Sequence, residues 1–495
     1  MQSAFRNNKY AVGVCAFSSL GGIFFGYDNG VAGGVMVMPS FLSDFCIGYG
    51  GNTLDACNAA SANLPTNWLN FTTLYNVFYY IGCMFGAVAG GYTADKHGRR
   101  LTIFSAALFY AVGAVVLLSS GHGQHTQVFI ARIIQGFGVG NATFSLPVFA
   151  AEMAPKELRG MLSGLMQMAC VIGIMLAGII NAAIQDVSQG WRITVGCGLI
   201  FPIVVMAGIF FVPESPRWTY KARGRDSASV QLKKLRKSDN ITQELNAIGN
   251  VLEEEGSTKA SWMDLWTDSS IRRRLLIAMG LQVLQQATGV NAVFAYGGQI
   301  FKDVLGLGII CLLMIQIVNF VSTIPAMYWV DHYGRRRLLL IGGVGMVIGH
   351  LVSAISFTAG CSGNTVSLGC SKEAGWVMVV FTMVFIFSFA ISWGPICWIY
   401  PAEIFPMNIR AKAVSISTTT NWAMGALMIG IPKLFPYLNI NGVFFLFCSL
   451  CGIGTAFVYF KCPETKGLLL EDIEHLFQRP GDHYVQGPKT PRDSV

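Results

Sequence analysis

Charge is what this chain has least of. Only 12% of its 495 residues are Asp, Glu, Lys or Arg, about half the share of an ordinary soluble domain. With 53% hydrophobic residues and 56 glycines, that is the composition of a membrane protein. The net charge of +8 implies no nucleic-acid partner, because the basic residues fall in short stretches between apolar runs. No cleavable signal peptide is expected, since a polar start at 1–10 leads straight into a run of full span length. The sequence shows no phosphate-cradling glycine loop, no cluster at metal-ligand spacing and no nucleophile–base set. An enzyme, a cofactor and a nucleotide-driven pump are therefore not expected. The thirteen cysteines are scattered, mostly in apolar runs where a small buried thiol is the default. Cys448 and Cys451 share only a helix turn in lipid.

Apolar runs of about twenty residues, the length a bilayer needs, fall at 11–34, 68–91, 101–119, 126–150, 160–183, 191–211, 275–300, 307–329, 338–358, 375–399, 412–432 and 441–460. The expected fold is an all-α membrane protein of twelve transmembrane helices. Between the sixth and seventh runs lies a polar stretch, 213–274, with Lys233-Lys234-Leu235-Arg236-Lys237, Glu253-Glu254-Glu255 and helical periodicity over 228–254. This reads as a helical linker domain. The domain expectation is a six-helix half at 1–212, the linker at 213–274, a second six-helix half at 275–462 and a tail at 463–495.

Lys and Arg set the orientation. The stretches after the second, fourth and eighth runs are basic, whereas 35–67 has neither Lys nor Arg. The linker and both termini are thus expected in the cytoplasm and 35–67 outside, with plasma membrane the default location. Cys46 and Cys57 lie in that outer segment, and Cys361 and Cys370 between the ninth and tenth runs. An oxidising exterior permits disulfides, and four cysteines allow three pairings. Two local pairs, Cys46 with Cys57 and Cys361 with Cys370, are the simplest.

The halves repeat. Asp95-x-x-Gly98-Arg99-Arg100 follows the second run and Asp331-x-x-Gly334-Arg335-Arg336 the eighth. Ala151-Glu152-Met153-Ala154-Pro155 with Arg159 is matched by Ala402-Glu403-Ile404-Phe405-Pro406 with Arg410, and Pro213-Glu214-Ser215 by Pro463-Glu464-Thr465. Each pair is six spans apart, so the two halves are pseudo-symmetric, related by an axis along the membrane normal.

The seventh run holds Gln285, Gln286 and Asn291, whose amides lipid cannot satisfy. At about 100° per residue, Asn291 points away from Gln285 on a regular helix. One polar face therefore needs a break, near Gly289 or just beyond Asn291. Broken helices lining a midplane cavity are where transporters place substrate; the competing use of such amides is to join helices.

These residues, together with Pro213-Glu214-Ser215-Pro216-Arg217-Trp218, Gly394-Pro395-x-x-Trp398 and Pro463-Glu464-Thr465-Lys466-Gly467, resemble the sugar porters of the major facilitator superfamily over roughly 10–470. The run Phe25-Gly26-Tyr27-Asp28 with Gly33-Gly34 is most similar to the monosaccharide–proton symporters. A sugar is a ring of hydroxyls with an apolar face, suited to neutral amides and aromatics. By resemblance, Gln285, Gln286 and Asn291 contact sugar, joined by Gln167, Asn319, Trp398 and Asn421, with Phe25 as a closing aromatic. One departure is Ala295, which stands where the family often has the first of two tyrosines; Tyr296 keeps the second.

Asp28 lies inside the first span, where an unpaired carboxylate is expensive, and Arg132 of the fourth is its expected partner. The resemblance makes this pair the proton-coupling device, since burial and the cation pull on the carboxylate's protonation in opposite directions. A permanent structural ion pair is the alternative. The resemblance also assigns a cytoplasmic gating network to Asp95, Arg99, Arg100, Glu152, Arg159 and Glu214 in one half, and to Asp331, Arg335, Arg336, Glu403, Arg410 and Glu464 in the other. Its pairs are expected to form where the halves meet on the inside. Proton-coupled symport of a neutral monosaccharide, a hexose first, is the leading expectation, for a monomer whose other partner is the lipid bilayer. A facilitative uniporter is the alternative, and a non-transporting sugar sensor a remote one.

Overall fold

The structure, a computed structural model, describes residues 8–59, 64–155, 158–254, 261–361, 371–466 and 477, and every regular element among them is helical. Ten stretches are long and apolar enough to cross a bilayer. Six lie in the first half, from Lys9–Val35 through Gly190–Phe211; the others are Gly308–Tyr333, Arg335–Cys361, Lys372–Ile404 and Tyr437–Lys461. The seventh and eleventh runs are helical too, as Ser269–Ala287 followed by Val290–Leu305, and as Met407–Met428. They are not among the ten because the seventh is split at Gly289 and its first helix carries Arg272, Arg273 and Arg274 besides Gln282, Gln285 and Gln286, while Ser415, Ser417, Thr418, Thr419, Thr420 and Asn421 lower the hydropathy of the eleventh. The twelve spans form two six-helix halves.

Four spans are interrupted near their centre. In the seventh, Gly289 sits at φ +85°, a left-handed conformation that only glycine adopts freely. The other three interruptions carry no amide signal in the sequence; the sixth span is Gly190–Cys197 and then Ile200–Gly208. The first span is two helices, Lys9–Ser19 and Gly21–Val35. The tenth, expected as one run over 375–399, is Lys372–Ala390 and then Trp393–Ile404. Pro395 is tolerated in the first turn of the new helix, where N–H groups have no intrahelical partner.

The halves meet along two pairs of spans, the second with the eleventh and the fifth with the eighth. Ser415 Oγ donates to the Ala87 carbonyl at 2.9 Å. At the end of the spans that carries 35–59, the first and seventh also close on each other: a Cβ on Gly33 would lie 2.1 Å from the Phe294 carbonyl oxygen.

That segment, expected as a loop, is folded. It contains Pro39–Phe45, Tyr49–Gly51 and Leu54–Cys57, and Cys46 and Cys57 form a disulfide. Phe41 and Phe45 pack against Phe71 and Trp191 with ring centroids 5.5–6.4 Å apart, contacts worth about 1 kcal/mol each beyond area burial. Asp44 accepts from Trp191 Nε1 at 2.8 Å and Arg192 Nη1 at 2.7 Å. Cys361 is disulfide-bonded, and Cys370 lies outside the described residues. The linker holds Pro216–Arg223, Arg225–Arg236 and Thr242–Glu254 around a small core of Ala228, Leu232, Ile241, Leu245 and Ile248. Arg236 ties it to the end of the fourth span, donating to Glu244 at 2.7 Å and to the Met153 carbonyl at 3.2 Å.

Candidate functional site

The amides of the seventh span converge on Asn421 of the eleventh. Asn421 Nδ2 donates to Gln285 Oε1 and to Gln282 Oε1, each at 2.7 Å. Its Oδ1 accepts from Gln286 Nε2 at 2.8 Å, and Gln286 Oε1 accepts from Asn291 Nδ2 at 2.6 Å. The last bond spans the Gly289 break. With its chain reversed into the left-handed region at Gly289, Asn291 comes back to the face of Gln286 that a regular helix denies it. Gln285 Nε2 reaches the tenth span's break, donating to the Trp393 carbonyl at 3.0 Å.

Gln282 was not among the expected site residues. It donates to the Cys397 carbonyl at 2.9 Å, the acceptor left without a helical donor because Pro401 lacks an N–H. Its signal was present in the sequence: an amide three residues before Gln285, in lipid. Its role is to satisfy a buried backbone acceptor.

Aromatics and one amide of the other half complete the surround. Trp422 touches Phe25 edge-on at 5.5 Å and lies 5.6 Å from Tyr80 and 6.4 Å from Trp398. Neither Trp422 nor Tyr80 was singled out, because an aromatic in an apolar helix looks like packing. Trp422 Nε1 crosses to Thr143 Oγ1 at 3.3 Å. Gln167 faces the tenth span's break, its Nε2 3.5 Å from where a Gly394 Cβ would stand. Asn319 is buried, and its Oδ1 has no hydrogen-bond partner among the described residues. Tyr296 donates to the Ile429 carbonyl at 3.1 Å.

Asp28 and Arg132 meet. Asp28 Oδ1 accepts from Arg132 Nη1 at 2.7 Å, with side chains 3% and 1% exposed. Asp28 Oδ2 has no hydrogen-bond partner among the described residues. Arg132 is held independently: it donates to Gln135 Oε1 at 3.1 Å and to the Tyr75 carbonyl at 3.4 Å, and lies 4.3 and 4.5 Å from the ring centres of Tyr75 and Tyr79. Such faces stabilise a cation where water is excluded.

The network expected on the cytoplasmic side is arranged differently. The ion pairs described for it close within each half. Arg99 Nη2 meets Glu152 at 2.7 Å and Arg335 Nη2 meets Glu403 at 2.7 Å, with Asp95 at 3.8 Å and Asp331 at 3.3 Å from the same guanidiniums. Glu214 and Glu464 bind backbone instead of guanidinium. Glu214 accepts from the N–H groups of Arg99 and Arg100 at 3.1 and 3.2 Å, and Glu464 from those of Arg335 and Arg336 at 2.9 and 3.0 Å. The cause is the turn: Gly98 at φ +93° and Gly334 at φ +95° start a helix whose first N–H groups point at the carboxylate. Burial pushes the Glu214 carboxyl above its ordinary range, against those N–H groups and Arg99, which pull it down. Arg100 donates to the Ile209 and Phe210 carbonyls, and Arg336 to the Tyr459 carbonyl at 2.8 Å. Arg410 donates to the Phe405 carbonyl at 2.9 Å. Arg159 opens the helix Arg159–Ile184.

The family described as "Sugar (and other) transporter" matches residues 14–477. Sugar transport protein 10 of Arabidopsis thaliana is 31% identical, over 98% of this chain and 94% of its own. The low-affinity glucose transporter HXT3 of Saccharomyces cerevisiae is 33% identical, over 94% of this chain and 81% of its own. Among solved structures, the proton:xylose symporter XylE bound to 6-bromo-6-deoxy-D-glucose superposes with a TM-score of 0.81 at 26% identity, covering 95% of this chain and all of that one. The inward-open xylose transporter XylE from E. coli gives 0.71 at 26% identity, over 94% and 100%.

Proposed function

The chain belongs to the sugar transporter family and is a multi-pass membrane protein, and on that footing we propose that it carries a neutral hexose across the plasma membrane by alternating access, together with a proton. The sugar's hydroxyls take the place of amide–amide bonds. Gln286 Nε2 and Asn291 Nδ2 each use one of two donor hydrogens within the cluster, and the second is left for a hydroxyl. Gln285, Asn421, Gln167 and Asn319 frame the ring, and Trp398, Phe25 and the newly located Trp422 cover its C–H face. Among the described residues no cation stands in the amide cluster, which favours a neutral sugar over a sugar acid.

The observation that carries proton coupling is the unpartnered, buried Asp28 Oδ2 beside an occupied Oδ1. A proton arriving at Oδ2 cancels the charge without displacing Arg132, whose other contacts hold it in place. Outward opening separates Val290–Leu305 from Gly21–Val35 and admits both proton and sugar. Closure then buries a neutral Asp28, and opening to the cytoplasm lets the carboxylate ionise and re-form its pair. The Arg99–Glu152 and Arg335–Glu403 groups, each tying the ends of spans within one half, keep each half rigid as it rocks; the linker and both termini lie in the cytoplasm.

The test is uptake of labelled glucose, galactose, fructose and xylose by purified protein in liposomes, with and without an inward proton gradient. Coupled transport concentrates at least one hexose, and a protonophore collapses the concentration. Uptake that halts at equal concentrations, indifferent to the gradient, makes the protein a uniporter and Asp28–Arg132 a structural pair. Failure to move any of the four sugars overturns the substrate class.

A further inference from the structure

The Gly289 break leaves a carbonyl that the seventh span itself does not satisfy. In a continuous helix the Thr288 oxygen would accept from the Ala292 N–H. Here the second helix begins its ladder one residue later, from Val293 N–H to the Gly289 carbonyl at 2.9 Å. Thr288 is buried, so its oxygen needs a donor from within the protein. A side chain of another span supplies it: His350, wholly buried in Arg335–Cys361, places Nε2 2.9 Å from the Thr288 oxygen. Since a carbonyl only accepts, Nε2 carries the hydrogen. The ring is clamped, 4.0 Å from Phe385 of the tenth span and 5.5 and 5.8 Å from Phe447 and Phe444 of the twelfth. Phe447 also covers the other side of the break, where a Gly289 Cβ would fall 2.7 Å from its ring carbons.

We infer that His350 is the positioning residue of the sugar site: it pins the break of the seventh span to the ninth, and so fixes where Asn291 stands relative to Gln286. Those two amides lie on opposite sides of Gly289 and bond at 2.6 Å. Their geometry is only as fixed as the two dihedrals at Gly289 and the carbonyl beside them. The hydrogen bond and ring contacts of His350 go to the Thr288 carbonyl, Phe385, Phe444 and Phe447 rather than to the expected sugar-contacting side chains; it acts through the backbone between them. A loosened break lets the outer helix, Val290–Leu305, wander against Ser269–Ala287, and a sugar must then order both. The cost falls on sugar affinity. The inference rests on the sugar reading only in taking a sugar as the probe.

The test separates position from folding by its readout. H350F removes the donor and keeps an aromatic ring. On monodisperse detergent-purified protein, the dissociation constant for glucose, read by tryptophan fluorescence, should rise about tenfold, the scale of a lost buried hydrogen bond. KM in proteoliposomes should rise in step, with maximal rate per folded molecule within about twofold. A merely structural histidine behaves otherwise, losing folded yield and leaving both constants unchanged. H350Q, whose amide nitrogen reaches where Nε2 stood, should restore wild-type affinity; H350N, shorter by one carbon, should not. An unchanged dissociation constant in H350F, or equal constants in H350Q and H350N, overturns the inference. If H350F yields no folded protein, the H350Q–H350N comparison decides. Wild-type uptake run alongside tests the transport reading on its own, and the binding constants decide the pin whatever that uptake shows.

Discussion

Replacing Asp28 by Asn tests coupling at a single atom. Asn keeps the shape and an Oδ1 acceptor for Arg132 Nη1, and removes the charge and the site at which a proton comes and goes. Breaking a buried ion pair outright costs about 3–5 kcal/mol because the survivor is left uncompensated. Here Arg132 retains Gln135, the Tyr75 carbonyl and two aromatic faces, so a loss of about 2 kcal/mol is the expectation and D28N should remain folded. The functional change should be far larger. With one proton per sugar, each pH unit supplies about 1.4 kcal/mol, or a tenfold concentration ratio. Each 100 mV, inside negative, supplies about 2.3 kcal/mol, or roughly fiftyfold. The assay is labelled-hexose accumulation in proteoliposomes under an imposed gradient, paired with counterflow, in which sugar exchanges without net driving force. The wild type should approach these ratios. D28N should settle near a ratio of one while counterflow continues. A D28N protein that still concentrates hexose refutes the coupling role of this carboxylate.

Gly289→Ala places a side chain where φ is +85° and where its Cβ would meet the Phe447 ring at 2.7 Å; the left-handed backbone alone costs about 1–2 kcal/mol. Glucose affinity should fall about tenfold or more, and F447A in the same chain should return only the steric part, as a double-mutant cycle on the dissociation constants will read. Glu403→Gln weakens the pair with Arg335 at 2.7 Å and the Thr465 Oγ1 contact at 3.2 Å while leaving Asp331 in place. Turnover should drop by about tenfold at most, with the order of preference among glucose, galactose, fructose and xylose unchanged; selective loss of one sugar counts against a gating role.

What was legible in the sequence follows from which signals survive in lipid. Twelve apolar runs and three repeated motif pairs are enough for the fold, because a bilayer fixes span length. The seventh span's break was legible because its amides demand partners, and ideal helical geometry places Asn291 on the wrong face. The break at Ile391–Ser392 was not, since a short interruption in an apolar run changes neither composition nor length. Trp422 and Gln282 escaped for opposite reasons: the first resembles core packing, and the second answers a backbone vacancy that appears only once Pro401 is known to stand four residues beyond Cys397 in one helix. Glu214 and Glu464 misled because acidic residues beside arginine clusters suggest ion pairs, whereas the left-handed glycine turns them toward backbone N–H groups. The folded 35–59 segment owes its order to aromatic density and the disulfide, neither of which implies an arrangement from sequence alone.

Under the proposed function, the arrangement of polarity also explains how two cargoes share one motion. The buried ion pair of the spans, Asp28 with Arg132, lies in the N-terminal half; the amides proposed to bind sugar lie mostly in the C-terminal half. That separation keeps the ion pair from being drawn to the sugar's hydroxyls, but coupling requires the halves to sense each other. The physical link is short. Phe25 stands one helical turn before Asp28 in Gly21–Val35 and touches Trp422, which follows Asn421 directly. Sugar that orders Asn421 and Trp422 fixes the surface against which Phe25 closes, and with it the helix that carries Asp28. A charged Asp28 resists that closure because its Oδ2 is buried without a donor, whereas a protonated one does not. Each cargo thereby lowers the cost of burying the other, and the two are carried in the same direction because a single helix segment, Gly21–Val35, must close over both.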